Sequence, residues 1–277
     1  MIINELKDLH EIHNKFIKAK PFPHVAIDNF FKDEFYKNLP DILDNFYSKK
    51  KDIGKEYSSD VEKKWGSTGL DLPQELFQIQ KLIQSEDFLF LLQEITGLKN
   101  LKLTENINGK GFSFFHASEK GSYLGPHLDH TRDLNSGPYH VANIIMYVSQ
   151  KWKTEWGGST QLYNHDNLKE VKDINFKPNR ALIFLHSPYS IHGTSRISNV
   201  AECNRYSFYY DFYSSEDNPY NGIFHVDKKY LHGSPHTFFL SSKSEYLKYK
   251  NIRYTMQHLR GFYGFIKHNL FNPKYNK

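Results

Sequence analysis

The sequence predicts a mainly β protein of the jelly-roll or barrel class, with helices ahead of the strands to support them. Three observations predict this. Aromatic residues make up 16% of the chain, from 22 Phe, 19 Tyr and 3 Trp, and flat side chains pack well on a pleated surface. Up to Gly97 the apolar residues recur mostly at helical spacing. Beyond it the period changes to two, in eight short runs separated by Gly, Asn, Asp or Pro. At 277 residues the chain is long for one domain, yet β sandwiches and barrels reach this length as a single unit.

Ile2, Ile3, Leu6, Leu9, Ile12 and Phe16 predict a leading helix over 1–18, ended by Pro21-Phe22-Pro23. His24 to Phe30 carries strand-type residues, and Phe31 to Phe46 returns to helical spacing, with Pro40 breaking or kinking it. Residues 49–69 are charged and weakly patterned, and read as a surface loop. Pro73 to Thr96 is helical again, closed by Gly97. The strand-like runs are 101–103, 112–117, 123–128, 140–148, 160–163, 181–186, 191–195 and 206–213. In the tail, Pro219-Tyr220-Asn221-Gly222 and Gly233-Ser234-Pro235 are breakers before a helix expected from Ser244 to about His258. The division expected is one domain over 1–214, with its β core at about 101–213, and a basic extension over 215–277 packed on that core.

A single cysteine, Cys203, rules out an intrachain disulfide. Residues 1–18 alternate charged and apolar side chains without the apolar centre of a signal peptide, and the compartment expected is the cytoplasm. No apolar run approaches the roughly 20 residues of a membrane span. Residues 215–277 hold ten Lys or Arg against four Asp or Glu, so the chain's 36 and 31 leave 26 basic against 27 acidic elsewhere. A basic tail of this kind reads first as a solvated helical face, and no nucleic-acid partner is expected from it.

The residues that read as chemistry are His127-Leu128-Asp129, then His192, then Arg205-Tyr206-Ser207. Residues two apart on a strand point the same way, so His127 and Asp129 can offer adjacent ligands to one ion. Two imidazoles and a carboxylate form the set that suits non-heme Fe(II) with positions left open. H-x-D alone is a weak signal in a chain with 15 His. His116, His130, His140, His165 and His186 are rival ligands. Trp156-Gly157-Gly158 marks a tight reversal with positive φ ahead of the strand at 160–163.

In their order along the chain these segments resemble the Fe(II)/2-oxoglutarate-dependent oxygenases of the prolyl 4-hydroxylase-like type. The resemblance covers about 22–213. It begins with Phe22-Pro23-His24-Val25, Asp28-Asn29-Phe30-Phe31 and Ile95-Thr96-Gly97. It is densest in Gly125-Pro126-His127-Leu128-Asp129, the segment Asn143 to Val148, Trp152 with Glu155-Trp156-Gly157-Gly158, Pro178-Asn179-Arg180, Ser190-Ile191-His192-Gly193 and Arg205 to Tyr210. The fold it implies is a double-stranded β-helix with N-terminal support helices.

The resemblance also implies that His127, Asp129 and His192 bind Fe(II). Arg205 would anchor the distal carboxylate of 2-oxoglutarate, with Ser207 and Tyr147 adding hydrogen bonds. Arginine's planar fork suits a carboxylate, and Arg196 is the rival anchor. Asn143, Asn179 and Arg180 are candidate substrate-side residues. The implied reaction consumes O2, releases succinate and CO2, and hydroxylates a C–H bond of a small molecule, sugar or peptidyl substrate, with ascorbate as an accessory reductant. A carboxylate at Asp129 points to hydroxylation before halogenation. Where many relatives carry two arginines shortly before Asn143, this chain has Tyr139-His140-Val141-Ala142, and the usual acidic residue after Gly158 is missing. Substrate identity therefore does not transfer. Two other readings stay open: a non-catalytic jelly-roll binding protein with a vestigial metal site, and a cupin-type metal-dependent sugar isomerase. The oligomeric state is open too, a dimer included.

Overall fold

Among the described residues, strands dominate after residue 100, as the change of period predicts. The structure is a computed structural model that describes residues 1–59, 62–67, 70, 72–103, 114–129, 139–164, 171–187, 190–215 and 238–239. In the N-terminal part, helix α1 (Leu9–Lys18) leads into strand β1 (His24–Asp28), followed by α2 (Asp33–Tyr36) and α3 (Leu39–Lys50). A hairpin of β2 (Lys55–Ser58) and β3 (Glu62–Gly66) comes next, then α4 (Gln74–Gln84) and α5 (Glu86–Thr96). The remaining strands are β4 (Lys102–Leu103), β5 (Phe115–Ser118), β6 (Tyr123–Leu128), β7 (Tyr139–Val148), β8 (Thr160–Tyr163), β9 (Val171–Ile174), β10 (Arg180–Leu185), β11 (His192–Thr194), β12 (Arg205–Ser214) and β13 (Phe238–Phe239).

Three local expectations are corrected. The leading helix starts at Leu9, because Asp8 caps it by accepting from Glu11 N at 2.9 Å, while Ile3 forms a bridge with Phe31. The helical stretch after Pro73 is two helices. Ser85 is extended between them, and its hydroxyl accepts from Phe88 N to start α5, which Gly97 ends at φ 71°. Residues 49–69 are not simply a loop: α3 runs on to Lys50 and the β2–β3 hairpin follows. Charged side chains on both faces of that hairpin hide its period of two. The same reason conceals β9, an edge strand exposed at three of its four residues. The tail helix expected at 244–258 lies outside the described residues.

Neighbouring strands run β1-β10-β7-β12-β5, then β3, then β6-β11-β8-β9, with antiparallel ladders. This nearly closed, double-layered β arrangement with helices packed outside is the double-stranded β-helix expected. β13 pairs with β6 at Leu128 and His127.

The central strands β7, β10 and β12 are buried on both faces, so two cores alternate along them. Ile144, Met146 and Val148 of β7, Ala181, Ile183 and Leu185 of β10, and Tyr206, Phe208, Tyr210 and Phe212 of β12 face the helices. Ile145 and Tyr147 of β7 and Leu182 and Phe184 of β10 face the interior between the layers, where they meet Phe22, Leu162, Ile174 and Phe176. On β12 the interior face is instead Arg205, Ser207, Tyr209 and Asp211.

Candidate metal centre

Strands β6 and β11 are antiparallel neighbours with His127 directly opposite His192, and the two rings lie 4.2 Å apart between centroids. That close pairing needs Gly193. A Cβ there would sit 2.6 Å from Leu124 O, so any side chain would push β11 off β6. Asp129 follows the end of β6, two residues after His127 and on the same side.

The three side chains converge. His127 Nε2 lies 3.4 Å from Asp129 Oδ1 and His192 Nε2 lies 3.3 Å from Asp129 Oδ2. One ligand atom from each residue falls within 4.8 Å of the others, and all three residues are buried. Each histidine turns Nδ1 to the carbonyl two residues earlier, Gly125 O and Ser190 O, both at 2.9 Å. A carbonyl can only accept, so Nδ1 carries the proton and Nε2 offers its lone pair to the centre. A divalent cation fits this donor set.

Asp129 is braced from behind. Its Oδ2 accepts from Tyr209 OH at 2.9 Å and from Asn143 Nδ2 at 3.1 Å, and Asn143 Nδ2 also reaches Asp211 Oδ1 at 3.1 Å. Asp211 in turn meets His140 Nε2 at 3.3 Å and Tyr213 OH at 3.3 Å. Without an ion, burial works against the Asp129 carboxylate. The two imidazoles outweigh it and hold Asp129 well below the usual carboxylate range. Burial, together with the neighbouring His192, pushes His127 down, whereas the Asp129 charge outweighs burial at His192 and raises it.

Arg205 opens β12 and is almost fully buried, with Nε donating to Gly158 O at 2.8 Å and Nη1 to Ser207 Oγ at 3.2 Å. Its guanidinium carbon lies 5.3 Å and 4.9 Å from the ring centroids of Tyr147 and Phe176. Burial lowers its pKa somewhat from an ordinary value far above neutrality. Among the described residues no carboxylate pairs with it. The predicted reversal is present, with Gly157 and Gly158 at φ 72° and 71°, and it places the Gly158 carbonyl on Arg205.

Arg205, Ser207, His127, Asp129 and His192 all line one cavity of about 390 Å³. The other residues singled out in the sequence are distributed as follows. Tyr147 stands behind Arg205, its hydroxyl donating to Thr160 Oγ1 at 2.7 Å, and it does not line the cavity. Asn143 is buried between Asp129 and Asp211. Asn179 and Arg180 are not in the site: the Asn179 amide bonds both backbone groups of Phe31, and Arg180 pairs with Asp28 across the β1–β10 ladder.

Arg196 is exposed and donates to Gly121 O, so it is no anchor. His140 and His186 stack at 3.9 Å on the Asp211 side, away from the three ligating atoms. His130 and His165 lie outside the described residues. His116 lines the cavity without joining the triad, and burial, with Lys64 and Arg205 nearby, holds it well below the usual histidine range.

Sequence reasoning missed Tyr209 and Asp211. Extending the alternation from Arg205 and Ser207 by two further steps would have found both. It also missed Tyr57, Glu62 and Lys64 in the cavity wall, which carried no signal once 49–69 had been read as a loop, and Tyr123 at the start of β6.

Residues 113–213 match the 2OG-Fe(II) oxygenase superfamily. That segment resembles the 2OG-Fe(II) oxygenases. The matched region contains the triad and Arg205, and the match supports a 2-oxoglutarate-dependent dioxygenase that uses Fe(II). Solved structures share the fold. A Pseudomonas putida prolyl-4-hydroxylase aligns with TM-score 0.52 and 14% identity over 74% of this chain and 98% of its own. A Trichoplax adhaerens prolyl hydroxylase, in complex with a hypoxia inducible factor oxygen degradation domain peptide fragment, aligns with TM-score 0.52 and 16% identity over 76% and 94%. A 2OG-Fe(II) oxygenase family oxidoreductase from Burkholderia pseudomallei gives 0.50 and 12% over 77% and 93%. No match was found among curated proteins. Among the described residues, no helix is long and apolar enough to cross a membrane.

Proposed function

We propose that the chain is an Fe(II)- and 2-oxoglutarate-dependent hydroxylase of a small molecule, sugar or peptidyl substrate, releasing succinate and CO2. His127, Asp129 and His192 would hold the iron and Arg205 the distal carboxylate of 2-oxoglutarate. The observation that carries this reading is Arg205. A buried guanidinium without a carboxylate partner among the described residues, in the same cavity as two imidazoles and a carboxylate, calls for an anionic ligand there.

When bound, Fe(II) with 2-oxoglutarate and O2 would supply the oxidising power for hydroxylation. The protein's own contribution is positional. Protons held on Nδ1 by Gly125 O and Ser190 O keep both imidazoles aimed at the ion. Tyr209 and Asn143 fix the rotamer of Asp129. Gly158 O and Ser207 Oγ fix the plane of the guanidinium, so its remaining N–H groups can form a fork to one carboxylate. The aromatic wall of Tyr147 and Phe176 excludes water from that charge pair. Residues 1–214 would form the catalytic domain with 215–277 as an extension packed on it, a division that the β13–β6 pairing supports.

The test is anaerobic addition of Fe(II) and 2-oxoglutarate, read by a metal-to-ligand absorption band. It is followed by a substrate screen read by succinate and by mass spectrometry for a gain of one oxygen. Absence of the band would leave the binding-module reading in its place. Turnover without O2 would favour the isomerase.

A further inference from the structure

Most of the cavity's polar capacity lies outside the triad and the arginine site. β3 crosses from β5 to β6, pairing Gly66 with His116 and Glu62 with Leu124. Its alternation sends Trp65 into the helix-side core, where the ring packs on Phe46, Tyr47 and Phe115. Glu62 and Lys64 are thereby turned to the cavity, with side chains only 17% and 19% exposed.

Glu62 Oε2 and Lys64 Nζ are 3.3 Å apart. Beside them are the His116 imidazole and the Ser118 and Ser122 hydroxyls, which line the cavity and make no side-chain hydrogen bond among the described residues. This stretch of wall is thus rich in donors and acceptors and carries no net charge. The lining also includes the rings of Tyr57, Tyr123 and Tyr209 and the aliphatic side chains of Leu124, Ile145 and Ile197, so hydrogen-bonding groups and apolar faces stand side by side along it.

Resting on the oxygenase reading above, we infer that the substrate bound against the β3–β5–β6 wall is a neutral polyhydroxylated molecule, a sugar or glycoside, gripped through a vicinal diol by Glu62 and Lys64. An ammonium has three donors and a carboxylate about four lone-pair sites, so the pair keeps capacity to spare while intact. Hydroxyls on adjacent carbons lie about one hydrogen-bond length apart, so one can donate to Glu62 while its neighbour accepts from Lys64. A zwitterionic amino acid would compete with the Glu62–Lys64 attraction for both charges, and an anion would leave Glu62 opposed to it. A prolyl side chain offers no hydrogen-bonding group to the spare donors and acceptors of the pair, and burying those without a partner is costly. His116, Ser118 and Ser122 then meet further hydroxyls.

The experiment uses the full chain loaded with zinc, which does not support turnover, and saturated with 2-oxoglutarate. Methyl glucoside, mannoside and galactoside, their 2-deoxy forms, L-proline, L-glutamate and an Ala-Pro-Gly peptide are tested by saturation-transfer NMR and calorimetry. At least one glycoside is expected to bind, with its 2-deoxy form about tenfold weaker, as for a lost hydrogen bond to a charged group. Glu62→Gln and Lys64→Met should weaken the same glycoside by a similar factor while 2-oxoglutarate still binds. Glycosides that fail to bind, or that bind without regard to the hydroxyl or to either variant, overturn the inference, as does preferential binding of the amino acids or the peptide. The deoxy comparison stands on the unaltered protein, so a variant that fails to fold does not rescue the idea. If 2-oxoglutarate itself does not bind, the oxygenase reading falls; if it binds and no glycoside does, only the polyol inference falls.

Discussion

Replacing Arg205 by Met tests whether this residue is present for folding or for a ligand. Its charge-assisted hydrogen bonds to Gly158 O and Ser207 Oγ are worth about 1.5–3 kcal/mol each. Its contacts with the Tyr147 and Phe176 rings add up to about 2 kcal/mol apiece when desolvated. Against these stands the effective penalty of burying an ion, which is several kcal/mol. The terms nearly cancel, and Met keeps the apolar stem as far as the position of Nε with no charge to desolvate. Arg205→Met should therefore change the unfolding free energy of the ligand-free protein by less than about 2 kcal/mol. Ligand-dependent stability should behave differently. At a hundred times its Kd, 2-oxoglutarate stabilises the zinc-loaded wild type by about 2.7 kcal/mol, roughly 5–10 °C in Tm for a domain of this size. In the variant that rise should vanish. Differential scanning calorimetry with and without 2-oxoglutarate reads both quantities. A variant that keeps the rise would refute Arg205 as the anchor, and one whose ligand-free Tm collapses would show that the residue serves the fold.

Three further outcomes follow from the same geometry. Tyr209→Phe removes one hydrogen bond to Asp129 Oδ2 and should weaken metal binding about 10–100-fold, measured by competition with a chromogenic chelator. Gly193→Ala places a methyl 2.6 Å from Leu124 O; forcing β11 away from β6 should cost about 1–3 kcal/mol and weaken the metal more than Tyr209→Phe does, which chelator competition and urea unfolding together would show. Phe208→Ala empties a fully buried position on the helix side of β12 and should cost about 3–5 kcal/mol, with metal affinity per folded molecule unchanged; a large loss of that affinity would mean the two faces of β12 are not independent.

How legible each part was depended on how its side chains are buried. Helices α3 to α5 and the central strands were legible because each buries an apolar stripe or run. The spacing of His127 and Asp129 is local in sequence, whereas His192 and Arg205 were picked out through the resemblance carried by the ordered segments around them. The β2–β3 hairpin was not, since Glu62 and Lys64 point into a polar cavity and Lys55, Glu56 and Lys63 point to solvent, which leaves only Trp65 as an inward apolar marker. Asn179 misled for a related reason. Its φ of 58° and its two bonds to Phe31 make it a corner between β10 and the chain that follows β1, and nothing local in Pro178-Asn179-Arg180 distinguishes a corner asparagine from one that meets a substrate.

β12 explains why a site this polar can sit inside the barrel. Arg205, Ser207, Tyr209 and Asp211 place two charged groups and two hydroxyls on one face of a single strand, an arrangement that opposes folding unless each finds a partner. On the opposite face, Tyr206, Phe208, Tyr210 and Phe212 are each no more than 3% exposed. Tyr206 and Phe208 pack on Phe115, Tyr210 stacks with Phe114 at 5.1 Å, and Phe212 meets Phe88. Burial of four aromatic side chains, at about 1.5–3 kcal/mol each, offsets the cost of the polar row. The strand direction then sets the spacing of that row at two residues per step. One end of the strand carries the arginine, and two steps further on Tyr209 reaches back to the carboxylate of the triad. Substitutions on the aromatic face should accordingly move stability, and those on the polar face binding, a separation that follows from the strand's period of two alone.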